Sequence, residues 1–221
     1  MTDFAAARRM MVDGQVRTSD VTDLRIISAM LEVPREKFVA AADADLAYLD
    51  LDVPAARDAG GGAPRRLLKP MVLAKLLQAA AVRDTDHVLD VGCATGYSSA
   101  VLGRLAHSVV GLEQDAALAR RAGEVLASVK AHHVSIMTGP LTEGWAAKGP
   151  YDLILVEGAI EVLPQALRKQ LKENGRLLAI MAGSPPGCAM LYRAGQGEGW
   201  PLFDAAAPLL PGFVKPPSFV F

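Results

Sequence analysis

Residues able to bind a ligand are concentrated between His87 and Tyr97. Residues 88–91 form a short apolar run with Asp90 inside it, which is typical of a buried strand, and residues 92–96 predict a tight turn before a helix. Glycines let the backbone approach a ligand closely, and the first N–H groups of a helix are unpaired. The pattern Asp90-x-Gly92-x-x-x-Gly96 lacks the second early glycine of a pyrophosphate-binding loop, and the Asp90 carboxylate would repel a pyrophosphate. The segment therefore predicts a site for a cationic ligand.

A second acid lies at the spacing that such a site requires. Glu113 ends the apolar stretch 108–112, about 20 residues beyond the turn, where an acid at the end of the next strand accepts hydrogen bonds from ribose hydroxyls. The two acids and the turn resemble the cofactor motifs of class I S-adenosylmethionine (SAM) methyltransferases. The glycine spacing disfavours the alternative of an NAD-dependent oxidoreductase. The resemblance implies SAM as the cofactor, with binding positions at Asp90, Gly92, Cys93, Ala94, Gly96, Tyr97, Glu113, Gln114, Pro140 and Leu141.

Strand and helix patterns alternate along most of the chain. After a helix over 71–81, the apolar runs 88–91, 108–113, 133–137, 151–156 and 175–181 predict strands, and residues 98 onwards, 116–129 and 163–171 predict helices. Residues 202–210 are expected to complete the sheet edge. The alternation predicts an α/β fold: a doubly wound, Rossmann-like SAM-methyltransferase sheet with helices on both faces and ligands at the carboxyl ends of its strands.

The region before the sheet carries a more specific resemblance. We expect helices over 5–15 and 22–31, the second capped by Thr22 and ended by Pro34, and then a flexible loop over 40–64. The amino-acid sequence of residues 11–16, 23–30 and 33–39 resembles the N-terminal region of protein-L-isoaspartate O-methyltransferases. Residues 151–156 and 163–177 resemble later segments of the same family. We therefore expect two parts, an N-terminal helical arm and loop over 1–64 packed on a SAM-binding domain over 65–221.

The resemblance also implies an acceptor. It is a protein or peptide substrate with a free carboxylate, which is ionised at neutral pH and needs no general base, so catalysis comes from placing its oxygen in a dry pocket. The family's Ser-Gln-Pro segment, which approaches this carboxylate, is matched here by Leu68-Lys69-Pro70. Leu68 and Lys69 are therefore the expected acceptor-site positions, although leucine has no hydroxyl to donate. Arg65, Arg66 or Lys69 could pair with the carboxylate instead, or form a solvated basic turn.

Two further departures concern the ends of later strands. The family's Gly-Asp-Gly is Gly139-Pro140-Leu141 here, and its Thr-Ala-Ala is residues 157–159, Glu-Gly-Ala. Three hypotheses remain: an isoaspartyl carboxyl methyltransferase, a SAM methyltransferase with another acceptor, and a SAM-binding protein that has lost catalysis. The arm favours the first, and Leu68 and Pro140 favour the other two.

Composition limits the partners. The formal net charge is −1 and 51% of the residues are apolar, so no basic face for nucleic acid is expected. No apolar run reaches the ~18 residues of a membrane span, and no signal peptide is evident, so we expect a cytoplasmic protein. Cys93 is expected to be a small packing residue. The cysteines and the four histidines lack metal-ligand spacing, so no metal site is predicted, and the oligomeric state is not predicted.

Overall fold

The structure is a computed structural model that describes residues 2–56, 65–183 and 186–215. Its elements in chain order are α1 (Phe4–Met11), α2 (Leu24–Glu32), β1 (Val53–Pro54), β2 (Arg66–Leu67), α3 (Pro70–Ala80), β3 (His87–Val91), α4 (Tyr97–Leu102), β4 (Ser108–Glu113), α5 (Ala116–Ser128), β5 (Val134–Thr138), β6 (Tyr151–Ile160), α6 (Gln165–Arg168), β7 (Leu171–Met181), β8 (Cys188–Arg193) and β9 (Trp200–Asp204).

Seven of these strands form one sheet in the order β5-β4-β3-β6-β7-β8-β9. The strands β3 to β7 are parallel, and β8 and β9 add an antiparallel edge. The chain builds outward from β3 to β5 on one side and then returns to place β6 on the other side of β3. The direction of building reverses at β3, and such a reversal leaves a crevice at the carboxyl ends of the strands. The predicted doubly wound sheet is confirmed.

Alternate residues of the parallel strands fill two apolar layers. Val88, Val109 and Leu153 face a large cluster that also contains buried residues of α2, α3, α4 and α5. Leu89 and Val110 face a smaller cluster, to which α6 and the segment 210–213 contribute. Helices therefore cover both faces, but the first face carries most of them within the described residues. No helix in these ranges is long and apolar enough to cross a membrane.

The N-terminal arm begins and ends differently from the sequence prediction. The predicted helix over 5–15 is present, but it changes from an α-helix to a π-helix over Val12–Val16 and is followed by a 3₁₀-helix over Arg17–Ser19. The cap of α2 is Asp23 and not Thr22, because the Asp23 carboxylate accepts the Arg25 N–H at 2.9 Å. Buried arm residues belong to the same apolar cluster as the sheet. The domain boundary at residue 64 lies outside the described residues and stays a prediction.

Other local predictions were also wrong. The segment 40–56, expected as loop, contains a 3₁₀-helix over Ala41–Leu46 and β1, which pairs with β2; residues 57–64 of that expected loop lie outside the described residues. The helix predicted over 163–171 is only α6, because Leu171 pairs with Tyr151 of β6 as part of β7. The edge is formed by β8, which was not predicted, and by β9, while Leu209 makes only an isolated bridge with Ala159.

Candidate functional site

The turn after β3 is held against the end of β4. The N–H groups of Gly92 and Cys93 donate to the Leu112 carbonyl at 2.8 and 3.2 Å. Gly92 and Gly96 have φ values of +79° and +89°, which disfavour residues with a side chain. A Cβ atom on Gly92 would lie 2.6 Å from Arg65 Nη2, so this glycine also allows a guanidinium to approach the backbone closely. Cys93 is buried and fills space beside Gly111, and burial raises the pKa of its thiol.

Asp90 is completely buried at the carboxyl end of β3. Its Oδ2 accepts hydrogen bonds from the hydroxyls of Ser98 at 2.7 Å and Ser99 at 2.5 Å, which fix its orientation, whereas its Oδ1 has no hydrogen-bond partner among the described residues. Burial is the main cause that raises the pKa of Asp90 to about 6. A free oxygen on a buried carboxylate is suited to a cationic group, and the cationic ligand stays a prediction.

Glu113 is also completely buried, at the end of β4, and its two oxygens are held by backbone N–H groups. Oε2 accepts from Ala94 at 2.9 Å, and Oε1 accepts from Gln114 at 2.9 Å and Asp115 at 3.2 Å. The turn and the second acid therefore form one unit, as their spacing predicted. The remaining contact is with Arg65, whose Nε lies 3.3 Å from Oε2.

Arg65 does not lie where the sequence alternatives placed it. Its guanidinium bridges the two motifs, with Nε on Glu113 and Nη2 donating to the Gly92 carbonyl at 2.5 Å, and it is almost fully buried. It is therefore neither part of a solvated basic turn nor directed to an open acceptor position. The Arg65 guanidinium contacts the Glu113 carboxylate, which the sequence assigns to the ribose hydroxyls. A ribose that binds the same oxygen would compete with this contact.

The N-terminal arm supplies one wall of the site. The Thr95 hydroxyl donates to the Phe38 carbonyl at 2.5 Å, and the Phe38 ring meets the Tyr97 ring edge-on with centroids 5.6 Å apart. Arg35 is fully buried and lies over the Tyr97 ring, with its Cζ 4.6 Å from the ring centroid. Its Nε donates to the Ala47 carbonyl at 2.7 Å. The arm is thus in direct contact with the turn after β3 and with the start of α4.

The predicted acceptor positions lie beside this wall. The Leu68 side chain is buried in the core, and its carbonyl accepts from Arg35 Nη2 at 2.8 Å. Lys69 precedes α3, and its backbone N–H donates to the Asp52 carboxylate at 3.0 Å. Arg66 is bound to the Asp52 carbonyl at 2.8 Å. Arg35 therefore holds the backbone of the acceptor segment in place.

The remaining predicted positions, Pro140 and Leu141, follow β5. Pro140 is exposed and starts a 3₁₀-helix over Leu141–Glu143, whereas the Leu141 side chain is buried in the smaller core cluster and offers a ligand only its backbone. Within β6, Glu157 is 6% exposed and its Oε1 has no partner among the described residues. Burial, and then the charge of Asp90, raise the pKa of Glu157 well above its usual range.

The four histidines lie away from this crevice. They line one surface cavity of about 360 Å³ together with Lys148, at the amino ends of β3, β4 and β5. Among the described residues, no group of three or more His, Cys, Asp and Glu side chains has the geometry to hold a metal ion.

The parallel sheet that reverses at β3 and the acids that end β3 and β4 define a Rossmann-like methyltransferase fold. The family model of protein-L-isoaspartate(D-aspartate) O-methyltransferase matches residues 7–185. The chain belongs to this family.

Curated relatives agree with the family match. The protein-L-isoaspartate O-methyltransferase of Koribacter versatilis is 38% identical over 185 residues, which cover 84% of this chain and 80% of that protein. The protein of the same name from Methylorubrum extorquens is 37% identical over 196 residues, or 89% and 82% of the two chains.

Solved structures show the same fold. A protein-L-isoaspartate O-methyltransferase superposes with a TM-score of 0.81 at 23% identity, covering 93% of this chain and 66% of that chain. A putative member from Plasmodium falciparum, in complex with S-adenosyl-L-homocysteine, gives a TM-score of 0.76 at 19% identity, covering 95% and 99%.

Three residues of the crevice were not among the predicted site positions. In the sequence, Arg35 belongs to a segment that resembles the family, and Arg65 is one of three basic residues that could pair with the acceptor. Glu157 replaces a threonine of the family. The replacement of a small polar residue by an acid at a strand end was the one sequence signal that could have identified Glu157.

Proposed function

We propose that this protein is a SAM-dependent O-methyltransferase that esterifies the free carboxylate of isoaspartyl residues in damaged proteins. The family match over residues 7–185 carries the proposal, because it includes most of the N-terminal arm, the predicted acceptor positions Leu68 and Lys69, and the turn after β3. We infer that the chain works on protein or peptide substrates in the cytoplasm. Cys93 and Cys188 are both free, as expected in a reducing compartment.

The residues of the crevice fit the cofactor. The unpartnered Oδ1 of Asp90 suits its ammonium group, and Glu113 suits its ribose hydroxyls once Arg65 has moved. The other proposed binding positions are Gly92, Cys93, Ala94, Gly96, Tyr97, Gln114, Pro140 and Leu141. SAM, when bound, would supply an electrophilic methyl group: the acceptor oxygen would form a bond to the methyl carbon as the C–S bond breaks, and the electron pair of that bond would leave with S-adenosyl-L-homocysteine.

The chain's own residues then have to position an anion and exclude water. The acceptor is already ionised, so no base removes a proton from it. Arg35 fixes the Leu68 backbone, and the buried ring of Tyr97 and the side chain of Leu68 keep the pocket dry. Positioning and desolvation are thus the contributions of this chain.

A second candidate is methyl transfer to another acceptor. It is favoured by Leu68, which offers a carboxylate no hydroxyl donor, and by the buried Glu157 carboxyl group, which can hydrogen-bond a hydroxyl-bearing substrate. The third candidate, SAM binding without catalysis, predicts cofactor affinity and no methyl transfer.

Transfer of a labelled methyl group from SAM to an isoaspartyl peptide tests the proposal, with the matched aspartyl peptide as control. We expect base-labile label on the isoaspartyl peptide only. Binding of S-adenosyl-L-homocysteine without transfer to either peptide would contradict the proposed substrate and would favour one of the two other candidates.

A further inference from the structure

Glu157 stands next to the cofactor turn because of strand register. Val156 of β6 pairs with Val91 of β3, so Glu157 is the next residue along, beside Gly92. The pairing of β6 with β7 breaks between Leu155 and Ala159, and such irregularities direct side chains near active sites. Leu210 covers this part of the strand, since a Cβ atom on Gly158 would lie 2.7 Å from its side chain.

Unsatisfied polar atoms are concentrated around this position. Among the described residues, the buried side-chain atoms without a hydrogen-bond partner include Asp90 Oδ1 and Glu157 Oε1, and also Arg35 Nη1 and Tyr97 OH, although the Arg35 and Tyr97 side chains interact with each other. These residues belong to the arm and to the strands and helix that bound the crevice. Buried polar atoms without partners are rare in proteins, and a group of them in one crevice indicates that a polar ligand completes their hydrogen bonds.

The charges around Glu157 come from every side of the crevice. Asp90 on β3 repels its ionised form, while Arg65 and Arg35 attract it. Arg35 also connects Glu157 to the acceptor segment, because it interacts electrostatically with Glu157 and donates to the Leu68 carbonyl. Burial and Asp90 outweigh the two arginines and raise the pKa of Glu157, so a proton on its carboxyl group is favoured.

We propose that Glu157 binds the acceptor carboxylate, its carboxyl O–H donating the hydrogen bond that a serine hydroxyl at position 68 would otherwise give. A neutral carboxylic acid is a donor, whereas an ionised one only accepts. The contact leaves one acceptor oxygen free to attack the methyl carbon, and the proton stays on Glu157 throughout, so the reaction consumes and releases none. This inference rests on the proposed function and explains how a chain with Leu68 retains the family's substrate.

The first test uses binding rather than turnover. Calorimetry measures the affinity of an isoaspartyl peptide in the presence of S-adenosyl-L-homocysteine, between about pH 5 and pH 9, for wild type and Glu157→Gln. The glutamine amide donates at every pH. We expect the affinity of wild type to fall as Glu157 ionises, with proton uptake on binding seen in buffers of different ionisation enthalpy. We expect Glu157→Gln to show neither effect. Asp90 is present in both proteins, so the difference isolates Glu157.

The second test uses the reaction. Glu157→Ala should lower kcat/KM for the isoaspartyl peptide about ten- to a hundredfold, Glu157→Gln should remain close to wild type at low pH, and Leu68→Ser should restore activity to the alanine variant. Glu161→Gln is the matched control, because Glu161 lies just beyond β6 and binds the Lys215 N–H outside the crevice.

Three outcomes would overturn the inference. A Glu157→Gln variant as impaired as Glu157→Ala would show that the acid does not act as a donor. Peptide affinity that rises with pH would show that Glu157 acts in its ionised form. If wild type binds S-adenosyl-L-homocysteine but neither it nor any variant binds or methylates the isoaspartyl peptide, the proposed function fails and the inference falls with it.

Discussion

Replacing Arg65 with alanine should tighten the binding of S-adenosyl-L-homocysteine. In the structure the Arg65 guanidinium lies 3.3 Å from Glu113 Oε2 and donates to the Gly92 carbonyl at 2.5 Å, with 9% of its side chain exposed. A ligand whose ribose binds Glu113 has to break the first of these contacts. The contact therefore competes with the ligand, and its removal favours the bound state.

The magnitude follows from the number and type of hydrogen bonds lost. A hydrogen bond to a charged group contributes about 1.5–3 kcal/mol, which corresponds to about a ten- to a hundredfold change in affinity. The larger cost of leaving a buried charge alone does not apply, because Glu113 keeps its backbone donors from Ala94, Gln114 and Asp115.

Titration calorimetry of wild type, Arg65→Ala and Arg66→Ala measures the effect. Arg66 is the matched control, because it binds the Asp52 carbonyl away from Glu113. Arg65→Ala should also lower the melting temperature without ligand and increase the rise that the ligand causes. In a double-mutant cycle, Glu113→Ala should weaken binding at least tenfold and abolish the gain from Arg65→Ala. Weaker binding by Arg65→Ala alone would refute the reasoning and make Arg65 a ligand contact.

Three further outcomes are expected. Leu68→Ser should raise kcat/KM for an isoaspartyl peptide about ten- to a hundredfold in the Glu157→Ala background but only slightly in wild type, where Glu157 already donates to the acceptor, with cofactor affinity unchanged in both; equal gains in the two backgrounds would show that the two positions act independently. Arg176→Met should lower the free energy of unfolding by about 3–5 kcal/mol in urea, since Arg176 pairs with Asp86 at 2.5 Å in the interior, whereas Arg17→Met, which breaks an exposed pair, should cost less than about 1 kcal/mol. Glu157→Gln should stabilise the protein increasingly above the usual carboxyl pKa of 4.5, because the unfolded chain then releases a proton that folded Glu157 retains; a pKa raised by one unit corresponds to about 1.4 kcal/mol, or about 3–6 °C in melting temperature, and equal stability gains at pH 5 and pH 8 would contradict it.

Local sequence signals predicted the elements that position the cofactor site. The apolar runs that form β3, β4 and β6 lie in the interior of the sheet, between two neighbouring strands, so each is continuously apolar and can be recognised without knowledge of the fold. The errors occur where a residue distant in sequence determines the secondary structure or the helix cap. Leu171 joins a strand because Tyr151 is beside it, and Asp23 caps α2 while the Thr22 N–H donates to Gln78 of a different helix. A helix pattern cannot reveal such partners.

The sequence by itself determined the two acids and the turn between them, because a glycine turn and a strand-end carboxylate are specified by residues within a few positions of each other. Only the tertiary structure decided which side chains contact those acids and the acceptor segment. Arg65 lies on Glu113, 48 residues along the chain, and Arg35 reaches the Leu68 carbonyl, 33 residues away. It also decided that Glu157 is buried, with no partner for Oε1 in the described part of the chain. Burial and electrostatic pairing depend on which strands become neighbours in the sheet, and this is a property of the packed chain rather than of any local stretch of it.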